Sequence, residues 1–239
     1  MIRSETDAGV AVVRIDRPRH RNALDLEHCE ELGRAVRDAV DGGARCVVIT
    51  GEGSAFCAGA DLNQVYGEAF KDALYRLLRL ITEVPPPVLA AVNGPAIGAG
   101  TQLAIACDLR VAAPDAAFGI PTARLGLAVD PWTVHRLASL AGGGVARSIL
   151  VGAATIPADR AYHHGLVDRL GDLADAIGWA TEIAGLAPLT LAYSKLALNT
   201  PDASDPSLER AFHTCWSSED AQEGRRARAE NRPPRFRGR

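Results

Sequence analysis

No stretch of this chain approaches the ~20 apolar residues that cross a bilayer, and no charged start with an apolar run behind it reads as an export signal. Its five cysteines (29, 46, 57, 107 and 215) are odd in number and include no C-x-x-C pair. That argues against a disulfide framework and against a zinc ribbon. They read as small buried side chains in a reducing cytoplasm, which is the expected location of the protein. Charge of one sign is also missing: the net value is −3, so nothing draws the whole molecule to nucleic acid or an acidic membrane. There is no G-x-S-x-G, no Walker A loop and no dinucleotide fingerprint, and serine-hydrolase, NTPase and dehydrogenase readings therefore lack support. Repeats and low-complexity segments are absent as well. What is present is a chain of 239 residues, 47% hydrophobic and 23% charged, which suits a globule with a full core.

The hydrophobic pattern alternates between strands and helices. Residues 10–15 form a β-rich run, and Cys29, Leu32, Val36 and Val40 recur at helical spacing within 24–40. Asp41-Gly42-Gly43 closes that helix, and 45–50 reads as a buried strand. A small-residue loop over 51–61 precedes a helix at about 70–81, which stops before Pro85-Pro86-Pro87. Residues 88–92 form the next strand, 93–100 a glycine-rich turn into a helix through Cys107, and 109–112 another strand. Such alternation predicts an α/β fold. Beyond Pro188 the pattern becomes helical, with helices at 189–199 and 207–230, so the expected division is a core over 1–188 and a helical region over 189–239. His163-His164 before Gly165 reads as a helix end rather than a metal site, and no metal is expected.

Two loops combine small residues with a preceding strand: Ala58-Gly59-Ala60-Asp61 and Gly98-Ala99-Gly100. Small side chains let a ligand approach the backbone, and a helix start offers free N–H groups with a favourable dipole. Two such N–H groups are what a thioester carbonyl needs when negative charge develops on its oxygen. Tight loop packing alone accounts for the same residue types.

The spelling of these segments narrows the choice. Arg45-Cys-Val-Val-Ile-Thr-Gly51, Ala55-Phe-Cys-Ala-Gly-Ala-Asp61-Leu62 and Ala90-Ala-Val-Asn-Gly94-Pro-Ala-Ile-Gly-Ala-Gly100 follow one another in order. Leu103-Ala-Ile-Ala-Cys-Asp108, Phe118-Gly119 and Leu125-Gly126-Leu127 continue the series, and Arg232-Pro-Pro-Arg-Phe236 ends it. The series resembles the enoyl-CoA hydratase/isomerase (crotonase) family over nearly the whole chain. The resemblance implies a crotonase (ClpP-like) spiral of β-β-α turns with a C-terminal helical region used in trimers, often paired into hexamers. It implies a coenzyme A thioester as ligand, an acyl-CoA of fatty-acid metabolism, with no further cofactor. It places the oxyanion hole at the backbone N–H groups of Ala60 and Ala99, the second a position usually held by glycine. Coenzyme A contacts are implied around Arg21, Asn22 and Ala23 and at Ala58 and Leu62.

Hydratases of this family carry two glutamates, and the matching positions here are Gln102 and Thr122. Hydration needs a base for water and an acid for carbon. An amide and an aliphatic hydroxyl orient water but do not trade protons near neutral pH. The expectation is therefore acyl-CoA binding with little hydration. Gly126-Leu-Ala-Val-Asp-Pro-Trp132 is similar to a mycobacterial hydratase-like subgroup that lacks the same glutamates and is associated with fatty acyl-CoA binding. The rival expectation is an enolate-forming enzyme, an enoyl- or dienoyl-CoA isomerase or a dehalogenase-like catalyst, with Asp130 as its catalytic group in the acyl pocket. Asp130 before Pro131 also reads as the N-cap of a helix through Leu140. Seven arginines between 225 and 239 read as a solvated helix end, with phosphate binding across a subunit boundary as the other use.

Overall fold

A computed structural model of the chain describes residues 1–62 and 65–239. Its centre is a sheet in which β2 (Val10–Ile15), β3 (Cys46–Gly51), β4 (Val88–Val92), β6 (Leu109–Ala112) and β9 (Arg169–Leu170) run parallel. β3 and β4 are buried at every position, the signature of parallel strands covered on both faces. One face meets α1 (Leu26–Asp41), α2 (Glu68–Glu83), α3 (Ala99–Ala106) and α4 (Pro131–Leu150). The other meets α6 (Leu173–Ala184), which packs Ala176, Ala180 and Ile183 on Val12, Val48 and Val111.

β1 (Ile2–Asp7) joins β2 antiparallel as the outer strand. Nothing in the hydrophobic pattern marks it, because residues 3–7 are exposed and lack apolar alternation; Arg3, Glu5 and Asp7 suit an edge that must not recruit another chain. A second layer is made by β5 (Ala96–Ile97), β7 (Ala117–Gly119) and β8 (Thr155–Pro157), which α5 (Ala158–His163) follows. Single bridges Leu24↔Ala60 and Cys57↔Ala96 extend that layer. Each strand of β2, β3, β4 and β6 is thus followed by a step in the second layer and then by a helix. This is the expected spiral of β-β-α turns.

Two predicted helices differ in detail. The one expected to end at Leu140 resumes after a kink at Gly142, where φ is 77°, and reaches Leu150. The helix expected over 207–230 is two, α8 (Pro206–Ser217) and α9 (Glu219–Ala229). Ser218 leaves helical geometry at ψ 157°, and its side chain accepts from the Ala221 N–H to cap the second. α7 (Pro188–Asn199) is fastened to the core by Lys195, whose ammonium sits 2.8 Å from Asp108 Oδ2 and donates to the Ile81 and Pro86 carbonyls.

The arginine-rich end is not a free tail. Arg232 forms a two-pronged pair with Glu223, Arg239 pairs with Glu219, and Asp220 accepts from the N–H groups of Arg237 and Gly238. The arginine pair and a hydrogen bond from the Arg235 N–H hold the Glu223 carboxyl down at about 2. Arg45 reaches across to the Phe236 and Leu186 carbonyls, so the end of the chain docks on the core. The helix end itself is solvated as expected, with Arg225, Arg226 and Arg228 exposed.

Candidate functional site

The loop after β3 and the turn after β4 run side by side because two asparagines pin them. Asn22 is fully buried; its Oδ1 accepts from the Arg17 N–H, and its Nδ2 donates to the Glu52 and Ala55 carbonyls. Asn93 accepts from the Gly51 N–H and donates to the Gly53 carbonyl. The chains then exchange hydrogen bonds at Cys57: Ile97 N–H to Cys57 O at 2.9 Å and Cys57 N–H to Pro95 O at 3.2 Å. Gly98 takes φ 55° and ψ −116°, a conformation that a side chain would strain, and this turn starts α3. A Cβ at Gly100 would lie 2.1 Å from the Cys57 carbonyl oxygen, so only glycine permits this approach.

This packing sets Ala60 and Ala99 on the wall of one cavity of about 450 Å³. Ala99 is the first residue of α3, and its N–H has no intrahelical acceptor. Among the described residues, neither its N–H nor that of Ala60 donates to a backbone carbonyl outside the regular elements. Phe70, Leu74 and Tyr75 of α2 form one side, and Leu127 and Val129 another. Size and lining suit an apolar small-molecule group with a few fixed polar contacts. Polar groups inside are sparse. Gln102 is 4% exposed, and Thr122 is half-buried. The lining carboxylate is that of Glu68, whose side chain is 91% exposed at the start of α2. Burial pushes the Tyr75 phenol above its ordinary range, so it stays neutral.

The expected residues divide into two groups. Ala58, Ala60, Leu62, Ala99, Gln102 and Thr122 share the cavity. Arg21, Asn22 and Ala23 lie behind the loop: Arg21 is exposed, its carbonyl accepts from the Ala58 N–H, and the Asn22 side chain is occupied with backbone. Asp130 is not on the cavity wall either. It lines a neighbouring cleft of about 430 Å³ between α2 and α7, together with Trp132 and Lys195. It caps α4 as anticipated, accepting from the Thr133 N–H at 3.2 Å. Sequence reading missed Phe70, Leu74 and Tyr75. The first two look like ordinary core positions of an amphipathic helix; the phenol of Tyr75, which needs a partner when buried, was the available signal.

The cysteines are packing groups, as expected. Cys29, Cys46, Cys57 and Cys107 are buried and unbridged, and burial pushes the thiols of Cys46, Cys57 and Cys107 up to about 12. No described helix is long and apolar enough to cross a membrane.

The chain is similar to known proteins in both sequence and fold. The sequence profile of a family described as enoyl-CoA hydratase/isomerase matches residues 5–239. A Mycobacterium tuberculosis protein named "Probable enoyl-CoA hydratase echA6" is 48% identical over 233 residues, covering 96% of each chain. A short-chain-enoyl-CoA hydratase of Clostridium acetobutylicum is 33% identical over 245 residues, covering 95% of this chain and 94% of that one. The crystal structure of an enoyl-CoA hydratase from Bacillus anthracis superposes with a TM-score of 0.89 at 30% identity, covering 100% of this chain and 99% of the other.

Proposed function

The chain belongs to the enoyl-CoA hydratase/isomerase family, and from that premise we propose that it binds fatty acyl-CoA thioesters with little or no hydration. The thioester oxygen lies between the N–H groups of Ala60 and Ala99, and the acyl chain runs along Phe70 and Leu74. The observation that carries this reading is the pairing of two available N–H groups with an apolar cavity whose inner wall offers Gln102 and Thr122 in place of carboxylates. The coenzyme part follows the surface at Ala58 and Leu62, and the Arg21 side chain, which is exposed, is free to meet a phosphate from solvent. The enolate-forming alternative needs a proton carrier on the cavity, and the Asp130 carboxylate instead caps α4 in the next cleft.

Calorimetric titration tests the binding. Burying four methylenes at ~0.8 kcal/mol each makes hexanoyl-CoA bind on the order of 10²-fold tighter than free coenzyme A. Equal affinity for the two ligands, or no binding of either, would refute the reading. We also place the protein in the cytoplasm as a trimer or a pair of trimers. α8 buries no residue within one chain, and Leu198, Phe212 and Trp216 are exposed on the α7–α8 pair, which favours a subunit contact there. Light scattering that found a stable monomer at micromolar concentration would exclude this assembly.

A further inference from the structure

Four groups behind the cavity close a ring of hydrogen bonds. Gln102 Nε2 donates to Thr133 Oγ1 at 3.0 Å, and Thr133 Oγ1 donates to Asp130 Oδ1 at 2.5 Å. The Asp130 backbone N–H donates to the Tyr75 hydroxyl at 3.1 Å. That hydroxyl in turn meets the Gln102 amide. Thr133 is fully buried, so no solvent reaches it as a substitute partner.

Chemistry fixes the direction of the ring. An ionised carboxylate only accepts, so the single Thr133 proton points at Asp130. The Thr133 lone pairs then face position 102, which must present an N–H. The amide carbonyl is left for the cavity, while an N–H also faces the Tyr75 oxygen. A glutamate at 102 has no donor when ionised. It would compete with Asp130 for one hydroxyl proton, and an oxygen would face an oxygen at hydrogen-bonding distance.

We propose that Thr133 and Asp130 are positioning residues that specify an amide at position 102. The inner wall of the cavity is thus built to be neutral; it is not a hydratase wall with one carboxylate removed. An inserted glutamate is tolerated only when Asp130 changes with it. Asp130→Asn offers an N–H to Thr133 Oγ1, which frees the Thr133 proton for the carboxylate of Gln102→Glu, while asparagine still caps α4. The other charged groups nearby are Arg79 and Glu83 of α2 and Lys195 of α7, which line the cleft with Asp130, and Glu68 and Lys71 of α2, which line the cavity with Gln102; all stay constant throughout the comparison.

The test is a double-mutant cycle on the unliganded full chain, read by chemical denaturation at fixed protein concentration near pH 8. Gln102→Glu is expected to lower the folding equilibrium constant by ~30-fold or more in the wild-type background. In the Asp130→Asn background the loss is expected to be ~3-fold or less. The penalty of the single variant should also fade as pH falls. Its carboxyl, raised in the folded state above the usual carboxylate range, gains a proton there and can donate to Thr133. Equal losses in both backgrounds, or a penalty that ignores pH, would overturn the proposal. If Gln102→Glu alone yields no folded protein, recovery of folding in the pair supports the ring, and failure of the pair to fold overturns it. No ligand takes part, so this result is separate from the acyl-CoA reading.

Discussion

Given crotonyl-CoA, the purified protein is expected to turn over no more than a few molecules per minute, at least about two orders below a typical enzyme rate of ~10 s⁻¹. Hydration requires one group to take a proton from water and another to deliver one to carbon, each worth roughly 10²–10⁴ in rate. The inner wall has an amide at 102, engaged with Thr133, and an aliphatic hydroxyl at 122. Tyr75 is held neutral, and Glu68 stands in solvent at the mouth. The two N–H groups can polarise the thioester, but polarisation without proton carriers leaves the addition of water slow. Loss of the conjugated thioester absorbance measures the rate directly. Several turnovers per second would mean that a proton carrier acts here that the cavity wall does not display.

The second large effect concerns the backbone contact that creates the site. Gly100→Ala places a methyl carbon 2.1 Å from the Cys57 carbonyl oxygen and 3.0 Å from the Cys57 carbonyl carbon. That oxygen already accepts from the Ile97 N–H at 2.9 Å, so it cannot retreat without parting the two loops. The expected cost is about 3 kcal/mol or more. For a chain of this size that lowers Tm by roughly 6–12 °C, and acyl-CoA binding should be lost with the separation of Ala60 from Ala99. Gly144→Ala is the control: nothing lies within 4 Å of its added Cβ, and the residue sits in α4. Its Tm should stay unchanged or rise slightly. A Gly100→Ala protein with wild-type Tm and wild-type binding would remove the physical basis given for the site.

The parallel strands were the most legible part of the sequence. The runs 10–15, 88–92 and 109–112 coincide with β2, β4 and β6 because strands covered on both faces are mostly apolar, Arg14 and Arg110 excepted, and end at turn residues. β1 was invisible for the opposite reason: an exposed edge strand carries charge and no pattern. Spelling showed the loops that bear Ala60 and Ala99, yet it could not say that Asn22 builds the loop from behind, since its partners lie 30 and 33 residues away. Asp130 is legible as a cap, but its carboxylate lines the cleft between α2 and α7 and not the cavity that holds Ala60 and Ala99. Local pattern marks where a helix starts, not which side of that start faces a ligand. The C-terminal arginines are legible as a basic, exposed run, but the pairing of Arg232 with Glu223 and of Arg239 with Glu219, 9 and 20 residues distant, forms only once the chain folds back.

The most direct test of where the thioester sits is the vibrational spectrum of an acyl-CoA with an isotope-labelled thioester carbonyl, recorded free and bound. Two N–H donors on the oxygen weaken the C=O bond, so the bound carbonyl stretch should fall below that of the free ligand. Ala99→Pro removes one donor at the first helical position, where proline is otherwise tolerated. In that variant most of the shift should disappear while the fold persists. A bound carbonyl at the free frequency in the wild type, or a full shift retained in Ala99→Pro, would contradict a thioester held between Ala60 and Ala99.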